Sequence, residues 1–210
     1  MGAKPALVIL AAGASARLGR CKALVELGGR TPLERLLAAG AVLDDVAATV
    51  VTGADHAAIA AASPPGVRVL HNPDWSAGRT GGVLLAARAL SGRDLCLAPV
   101  DVPLVPASVF QALLAEWSAA GAPALGWLAP RCGARHGHPV IAGRELLLEL
   151  AGGDPAAPLR ELRARANPLW SLEVPGPEVL ADLDRPADLR ELERRCSAEE
   201  RICREPPGGP

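Results

Sequence analysis

A short segment near the N-terminus contains the residues best suited to chemistry, an arginine and a lysine set among small residues. An apolar run over 7–12 ends at Gly13, and Arg17 and Lys22 follow it. Small residues let the backbone approach a ligand closely, exposed backbone N–H groups donate hydrogen bonds, and the two cations supply positive charge. The segment therefore predicts a site for an anion, which we interpret as a nucleoside triphosphate.

The lysine in this segment is informative because lysine is scarce in the chain. Lys4 and Lys22 are the two lysines, and the other cationic side chains are arginines. An ammonium group is a compact, mobile point charge, whereas a guanidinium is a planar fork. Chance placement is the alternative explanation, and we favour a requirement for a point charge at position 22.

The spacing of the glycines excludes two common phosphate-binding motifs. Five residues separate Gly13 from Gly19, and Lys22 lies further along the chain, so the segment is not a Walker P-loop. The G-x-G-x-x-G dinucleotide fingerprint is also absent. A plain strand-to-helix turn is the remaining structural explanation, but such a turn does not require a serine and two cations in the same loop.

Two later segments carry aspartates that also have an ordinary structural explanation. Asp101 lies in a bend between two prolines, where acidic residues are common. Asp184 and Asp188 are expected at the N-terminus of a helix, the first as its cap and the second as a first-turn acid. That explanation does not require Asp182.

The cysteines and histidines do not form a recognisable disulfide or metal framework. The five cysteines are scattered and include no CxxC pair, so neither a disulfide scaffold nor a zinc site is predicted. His136 and His138 lie two positions apart but have no third nitrogen or sulfur ligand nearby in the sequence.

Length and composition predict one α/β domain without a membrane segment. The chain has 210 residues, 50% of them hydrophobic, which is enough for one sizeable core. A net charge of -1 offers no basic face for nucleic acid, and no apolar run is long enough to span a membrane. The N-terminal residues leave no room for a signal peptide, so we expect a cytoplasmic protein. The domain is expected over 1–196, with a disordered tail over 197–210.

Strand and helix patterns alternate along the chain, which is typical of a three-layer, Rossmann-like α/β fold with a mostly parallel sheet and helices on both faces. Strands are predicted over 7–12, 48–52, 67–70, 94–100, 123–128, 138–142 and 170–174, and helices over 32–40, 55–62, 81–90, 106–120, 145–150, 158–166 and 185–194. Segment 131–137 is predicted as a loop. Ligands of such sheets bind beyond the carboxyl ends of the strands. The loop at 13–22 and the bend at 99–104 both follow strands, so we expect both at that edge.

The N-terminal segment resembles the signature of the MobA/MocA-like nucleotidyltransferase family. The resemblance covers Leu10-Ala11-Ala12-Gly13-x-Ser15-x-Arg17-Leu18-Gly19-x-x-Lys22-x-Leu24. In that family the loop wraps the triphosphate and base, and the arginine and lysine neutralise phosphate oxygens. The resemblance therefore implies a nucleotide-diphospho-sugar transferase-like fold and catalytic roles for Arg17 and Lys22. It implies nucleotide contacts by Leu10, Ala11, Ala12, Gly13, Ser15 and Gly19.

The two acidic segments resemble the metal-binding motifs of the same family. Residues 99–104 resemble P-x-D-x-P-L/F, whose aspartate holds the catalytic Mg²⁺, which implies a catalytic and metal-binding role for Asp101. Residues 182–189 resemble D-x-D-T-P-E-D-L, whose first aspartate comes near the metal. Asp182 is accordingly the expected second ligand, with Asp184 as the alternative. A triphosphate needs such a cation, and hard cations prefer carboxylate oxygens.

Two further segments resemble substrate-binding parts of the family. Residues 72–78 resemble N-P-x-W-x-x-G, which leads into a serine-rich helix start near the nucleotide. Residues 135–140 resemble the R-x-G-H-P-V segment of molybdenum cofactor cytidylyltransferases, which lines the acceptor side of the cleft. The resemblance implies substrate contacts by Asn72, Gly78, Thr80, Gly137, His138 and Pro139.

The chain departs from the cytidylyltransferases in two places. Arg79-Thr80-Gly81-Gly82 stands where those enzymes have a methionine and a run of serines, so Thr80 keeps one hydroxyl. Residues 153–158 stand where they have a Gly-Asp-Lys-Gly run. Both departures bear on the assignment to cytidine and molybdopterin, and they leave nucleotidyl transfer as the expectation.

The resemblance implies a Mg²⁺-dependent transfer of a nucleoside monophosphate, CMP from CTP in the first place, to molybdopterin cofactor with release of pyrophosphate. Guanylyl transfer to the same cofactor and nucleotidyl transfer to another small phosphorylated metabolite are alternatives within the same reaction class. A non-catalytic protein that binds nucleotide or hands the cofactor to an apoenzyme is a third alternative. Retention of both Lys22 and Asp101 argues against it. A molybdoenzyme or a chaperone is the protein partner that such a role implies.

Overall fold

The centre of the fold is an eight-stranded sheet. The computed structural model describes residues 3–43, 46–151 and 158–204. The strands are β1 (Ala6–Ala11), β2 (Thr49–Thr52), β3 (Arg68–His71), β4 (Leu95–Pro99), β5 (Trp127–Cys132), β6 (Arg135–His136), β7 (Val140–Ala142) and β8 (Leu169–Glu173). Their order across the sheet is β3-β2-β1-β4-β7-β5-β6, and β8 pairs with β5.

The half of the sheet that carries the predicted binding loop is parallel. β1 lies between β2 and β4 and pairs in parallel with both, and β2 pairs in parallel with β3. β7 runs antiparallel between β4 and β5, while β8 is parallel to β5. In the register of β1 and β4, Leu10 lies opposite Pro99. The loop after β1 and the bend after β4 therefore emerge side by side at one edge, as predicted.

Seven α-helices lie in the described part of the chain: α1 (Pro32–Gly40), α2 (His56–Ala62), α3 (Arg79–Ala89), α4 (Ala107–Ala119), α5 (Arg144–Ala151), α6 (Leu159–Arg165) and α7 (Pro186–Arg204). Helix α1 begins at a capping box, with Thr31 as its N-cap and Pro32 as its first residue. The Thr31 hydroxyl accepts the N–H of Glu34 at 3.2 Å, and the Glu34 carboxylate accepts the N–H of Thr31 at 2.7 Å. Among the described residues, no helix is both long and apolar enough to cross a membrane.

Successive residues of β1 point into two apolar cores on opposite faces of the sheet. Leu7 and Ile9 belong to the core that contains Phe110 of α4, whereas Val8 belongs to the core that contains Leu84 of α3. A fully buried aliphatic or aromatic side chain contributes about 1.5–3 kcal/mol. Two cores divided by one sheet give the predicted three-layer arrangement.

The prediction for β5 is wrong in position. A turn begins at Pro123, whose carbonyl accepts the Gly126 N–H at 2.9 Å. The strand therefore begins only at Trp127. It continues through Pro130, and Cys132 pairs with Arg135 of β6. The predicted loop over 131–137 therefore contains the end of one strand and a second short strand.

Helices α3 and α7 are longer than predicted. Helix α3 begins at Arg79 instead of position 81, because Gly78 adopts a φ of 132° at its N-terminus. Arg79 and Thr80 consequently lie in the first helical turn. Helix α7 continues to Arg204, through positions 197–204 where a disordered tail was expected. Positions 205–210 lie outside the described residues.

A third apolar cluster holds the predicted binding loop against the C-terminal part of the chain. It joins Leu18 of the loop, Leu104 of the bend, and Leu183, Leu189 and other buried residues at and within α7. Leu183 is fully buried and Leu18 is 5% exposed. The cluster brings the three chemistry-bearing segments together, although they are far apart in the sequence.

Candidate active site

A cavity of about 380 Å³ opens at the carboxyl ends of β1 and β4. It lies where the parallel half of the sheet was predicted to bind a ligand. The predicted site residues that line it are Leu10, Ala11, Ala12, Gly13, Ser15, Arg17, Lys22, Gly78, Asp101 and His138, together with the alternative metal ligand Asp184.

The loop after β1 is held in shape by hydrogen bonds to Ser15. This residue adopts a left-handed φ of 53°, and its carbonyl accepts the N–H groups of Leu18 and Gly19, each at 3.0 Å. Its hydroxyl accepts the backbone N–H of Lys22 at 3.0 Å. These bonds fold the loop so that Arg17 and Lys22 both border the cavity.

One carboxylate binds two cations of the loop, Arg17 and Lys22. Lys22 Nζ donates to Asp184 at 2.5 Å, and Arg17 Nη2 lies 2.8 Å from the other Asp184 oxygen. The side chain of Lys22 is 13% exposed and that of Arg17 is 63% exposed, so the lysine pair is less screened by water. The hydrogen bond from Lys22, with help from both cationic charges, lowers the pKa of Asp184 below its ordinary value. Asp184 thus occupies the position at which these cations would meet a phosphate.

The predicted helix cap at Asp184 is therefore wrong. Its carboxylate faces the loop cations, and the start of α7 is capped by Asp188. The Asp188 carboxylate accepts the N–H of Asp184 at 3.0 Å and that of Arg185 at 2.7 Å. The first-turn acid predicted at position 188 is confirmed.

A second ion pair lies at the bend after β4. Arg79 Nη2, from the first turn of α3, lies 3.2 Å from Asp101 Oδ2. The Leu183 N–H donates to the Asp101 carbonyl at 2.7 Å, which ties this bend to the segment around Asp182. Partial burial, followed by the charges of Asp101 and Asp184, raises the pKa of Asp182 above its ordinary value. The three aspartates are therefore close enough to repel one another.

The donor chemistry of Asp101 and Asp182 fits a hard divalent cation. Such cations prefer carboxylate oxygens, and their charge would relieve the repulsion between the aspartates. Within the described part of the chain, no three acidic, histidine or cysteine side chains converge as a complete metal site. Two carboxylates suffice for Mg²⁺, which usually keeps its other positions for phosphate oxygens and water.

His138 presents a ring nitrogen that the protein does not use. Its Nδ1 atom is buried and has no hydrogen-bond partner among the described residues. Burial lowers the pKa of His138, and the charge of Arg79 adds to this effect while that of Asp101 opposes it. At neutral pH the ring is therefore uncharged, with one nitrogen able to donate a hydrogen bond and the other to accept one.

Six of the predicted site residues do not line the cavity: Gly19, Asn72, Thr80, Gly137, Pro139 and Asp182. Gly19, with a φ of 74°, turns the loop, and Thr80 is buried in the first turn of α3. A Cβ atom at Gly137 would lie 2.3 Å from the carbonyl oxygen of Val179, so this glycine permits close packing. Asn72 is buried, and its Nδ2 has no partner in the described structure. Their substrate contacts remain predictions, and positions 153–157 lie outside the described residues.

The sequence did not identify Arg79 as a site residue. Arg79, Trp75 and Ser76 all line the cavity, next to the predicted Gly78. A cation directly after the glycine of the N-P-x-W-x-x-G segment was the available signal, because a helix that starts there points its first side chains toward the sheet edge. The residue had been noted only as a departure from the family pattern.

Cys21 also borders the cavity, beside Lys22. Burial, followed by the charge of Asp55, raises the pKa of the Cys21 thiol to about 11. The thiol is therefore protonated at neutral pH and is a poor nucleophile.

The fold is that of a nucleotidyltransferase, an α/β enzyme, and its cavity lies at the carboxyl ends of the first parallel strands. The chain belongs to the family of the MobA-like NTP transferase domain, which matches residues 7–169. The predicted family, fold class and enzyme class are thereby confirmed. No curated protein matches the chain significantly.

Several solved structures share this fold. Rv0371c from Mycobacterium tuberculosis is 26% identical with a TM-score of 0.76, and the match covers 92% of this chain and 99% of that one. A manganese complex of Rv0371c is 25% identical over 91% and 98% of the two chains, with a TM-score of 0.70. Molybdopterin-guanine dinucleotide biosynthesis protein A from Archaeoglobus fulgidus is 19% identical over 91% and 98%, with a TM-score of 0.70, and this likeness concerns the fold alone.

Proposed function

We propose that this enzyme transfers CMP from CTP to a phosphorylated acceptor, molybdopterin cofactor, in a Mg²⁺-dependent reaction that releases pyrophosphate. The observation that carries the proposal is the arrangement of charge in one cavity. The loop cations Arg17 and Lys22 line it together with Asp101 and Asp184, and the charges of both aspartates act on the neighbouring Asp182. A nucleotide polyphosphate needs the cations, and its metal needs the carboxylates.

The loop cations bind the triphosphate. Arg17 would hold the β- and γ-phosphates, where its planar fork can bind two oxygens, and Lys22 would hold oxygens near the α-phosphate. Both cations already converge on the carboxylate of Asp184. The phosphates would replace that carboxylate, so the cations are held in place before the nucleotide arrives. Such preorganisation lowers the entropy cost of binding.

Asp101 and Asp182 would hold Mg²⁺, which supplies positive charge to the phosphate oxygens when bound. Manganese is the ion named for the Rv0371c complex, and it shares the preference of magnesium for oxygen ligands. For Asp101 this role requires a change of partner, because Arg79 lies 3.2 Å from one of its oxygens.

The chemical step needs no base and no covalent intermediate. A phosphate monoester is already largely ionised at neutral pH, so it can attack the α-phosphorus in line while pyrophosphate leaves. The protein must hold two anions together and stabilise the charge that develops on the leaving pyrophosphate. We assign this stabilisation to Lys22 and Arg17, which both line the cavity.

The choice of CTP and molybdopterin cofactor depends on the segment around His138, which resembles the acceptor side of the cytidylyltransferases. His138 borders the cavity with an unpartnered Nδ1. The Archaeoglobus fulgidus protein is named for guanine dinucleotide synthesis, so GTP is the alternative donor to be tested.

Pyrophosphate release separates these possibilities. The protein is incubated with Mg²⁺, molybdopterin cofactor and each of the four NTPs in turn, and pyrophosphate is measured with a coupled assay. The proposal predicts release with CTP and none with Mg²⁺ removed by EDTA. Release with GTP instead would establish guanylyl transfer. Tight CTP binding with no release under any combination would contradict transfer to this cofactor.

A further inference from the structure

Arg79 is the charged residue that distinguishes this cavity from the family pattern. It stands where the cytidylyltransferases resembled by the sequence have methionine. Its guanidinium lies over the cavity, 3.2 Å from Asp101, and its side chain is 69% exposed. Packing therefore does not fix it, and an ion pair holds it in position.

The cations of the cavity form two separate groups. Arg17 and Lys22 come from the loop after β1, and both bind Asp184. Arg79 comes from α3 and binds Asp101. The two groups are linked through the backbone, because the N–H of Leu183, next to Asp184, donates to the Asp101 carbonyl.

In-line transfer needs positive charge at two places. The leaving pyrophosphate departs on one side of the α-phosphorus, and the attacking group approaches from the other. The loop cations serve the leaving side, because they belong to the polyphosphate loop. The acceptor must then bring a second anion close to the first, and this costs free energy unless another cation receives it.

We propose that Arg79 binds the anionic phosphate group of the acceptor and so makes a phosphorylated acceptor a requirement of this enzyme. The inference rests on the proposed function and adds the residue that selects the acceptor. Arg79 would be free of Asp101 if that carboxylate held Mg²⁺, and its fork would then be available for two phosphate oxygens. His138 lines the same cavity as Arg79 and Asp101. Arg79 binds and orients the acceptor without exchanging a proton.

Inorganic phosphate serves as the probe for the acceptor group, since it needs no knowledge of the rest of the acceptor. The protein is first saturated with Mg²⁺ and α,β-methylene-CTP, which fills the nucleotide site without reacting. Phosphate is then titrated and followed by ³¹P NMR. Arg79→Met should weaken phosphate binding at least tenfold and change the affinity for the analogue less than twofold. Arg79→Lys keeps the charge and loses the fork, so its affinity for phosphate should lie between those of the wild type and Arg79→Met.

Arg88→Met is the matched control, because it removes one positive charge from the last turn of the same helix. It should bind phosphate as the wild type does. Unchanged phosphate affinity in Arg79→Met, or a loss confined to the CTP analogue, would overturn the inference. The analogue titration is read separately: if wild-type protein does not bind the analogue, the proposed function fails, whereas analogue binding without phosphate binding refutes the role of Arg79 alone.

Discussion

Replacing Asp184 by asparagine should tighten the binding of pyrophosphate to the metal-free protein. In the structure this carboxylate occupies the meeting point of Lys22 and Arg17, at 2.5 and 2.8 Å. A phosphate that binds these cations must first displace it. The amide of Asp184→Asn has nearly the same shape but no charge, so the displacement becomes easier.

The size of the effect follows from the exposure of the two pairs. A hydrogen bond to a charged group contributes about 1.5–3 kcal/mol when shielded, and an exposed ion pair contributes about 0–1 kcal/mol. Lys22 is 13% exposed and Arg17 is 63% exposed, so we place the first pair near the lower bound and the second near zero. Because the asparagine amide oxygen still accepts one hydrogen bond, the substitution should make pyrophosphate binding more favourable by about 1 kcal/mol, which is roughly a fivefold decrease in Kd.

Isothermal titration calorimetry in EDTA measures this change directly. Glu26→Gln is the control, since it removes an exposed carboxylate soon after the same loop without touching the ion pairs. It should leave the Kd within about twofold of wild type, as expected for a screened surface charge. Circular dichroism checks that the fold is retained. Unchanged or weaker binding in Asp184→Asn would show that Asp184 does not occupy a phosphate position.

Lys22→Ala should lower turnover by about two orders of magnitude or more with the fold intact, because it removes charge stabilisation at the α-phosphate. Lys22→Arg keeps the charge and should recover part of the lost turnover. Full turnover in Lys22→Ala would remove the residue from the mechanism. Asp182→Asn should raise the Tm of the metal-free protein at pH 7 by about 1 °C, after allowance for solvent screening, and should reduce the stabilisation given by Mg²⁺. The sign follows because burial and two neighbouring aspartates raise the pKa of Asp182, so its ionised form opposes folding above that pKa and the penalty vanishes below the ordinary value of 3.8. A lower Tm for Asp182→Asn at pH 7 would contradict this. Leu183→Ala should lower the free energy of unfolding by about 2–5 kcal/mol and also weaken CTP binding, because the fully buried Leu183 anchors Asp184. Chemical denaturation and a CTP titration measure the two effects. A loss of stability without weaker CTP binding would show that Leu183 does not position the site.

The sequence predicted those parts of the fold that depend on local pattern. The apolar run of β1 and the alternation of strands with helices are properties of short segments, and both are confirmed. The location of the Arg17 loop and the Asp101 bend at the same edge of the sheet followed from one topological rule for parallel strands. These features need no knowledge of distant contacts.

The errors occurred where distant contacts decide the structure. The start of β5 depends on a turn at Pro123 and on pairing with β8, more than thirty residues later, which periodicity does not reveal. Asp184 fits a helix cap equally well in the sequence, and only the apolar cluster around Leu183 brings it to Lys22. Arg79 was interpreted as a departure from the family pattern, because its partner Asp101 is reached only when α3 packs against β1 and β2.

Transfer of radioactive label from CTP to the cofactor is the direct test of nucleotidyl transfer. Wild-type protein is incubated with Mg²⁺, molybdopterin cofactor and CTP labelled with ³²P at either the α- or the γ-position, and the products are separated by chromatography. We expect the α-label on the cofactor and the γ-label in pyrophosphate, in equal amounts. Lys22→Ala and Asp101→Ala should produce neither labelled product. Labelled CMP or CDP in solution, with no labelled cofactor, would contradict nucleotidyl transfer to this acceptor.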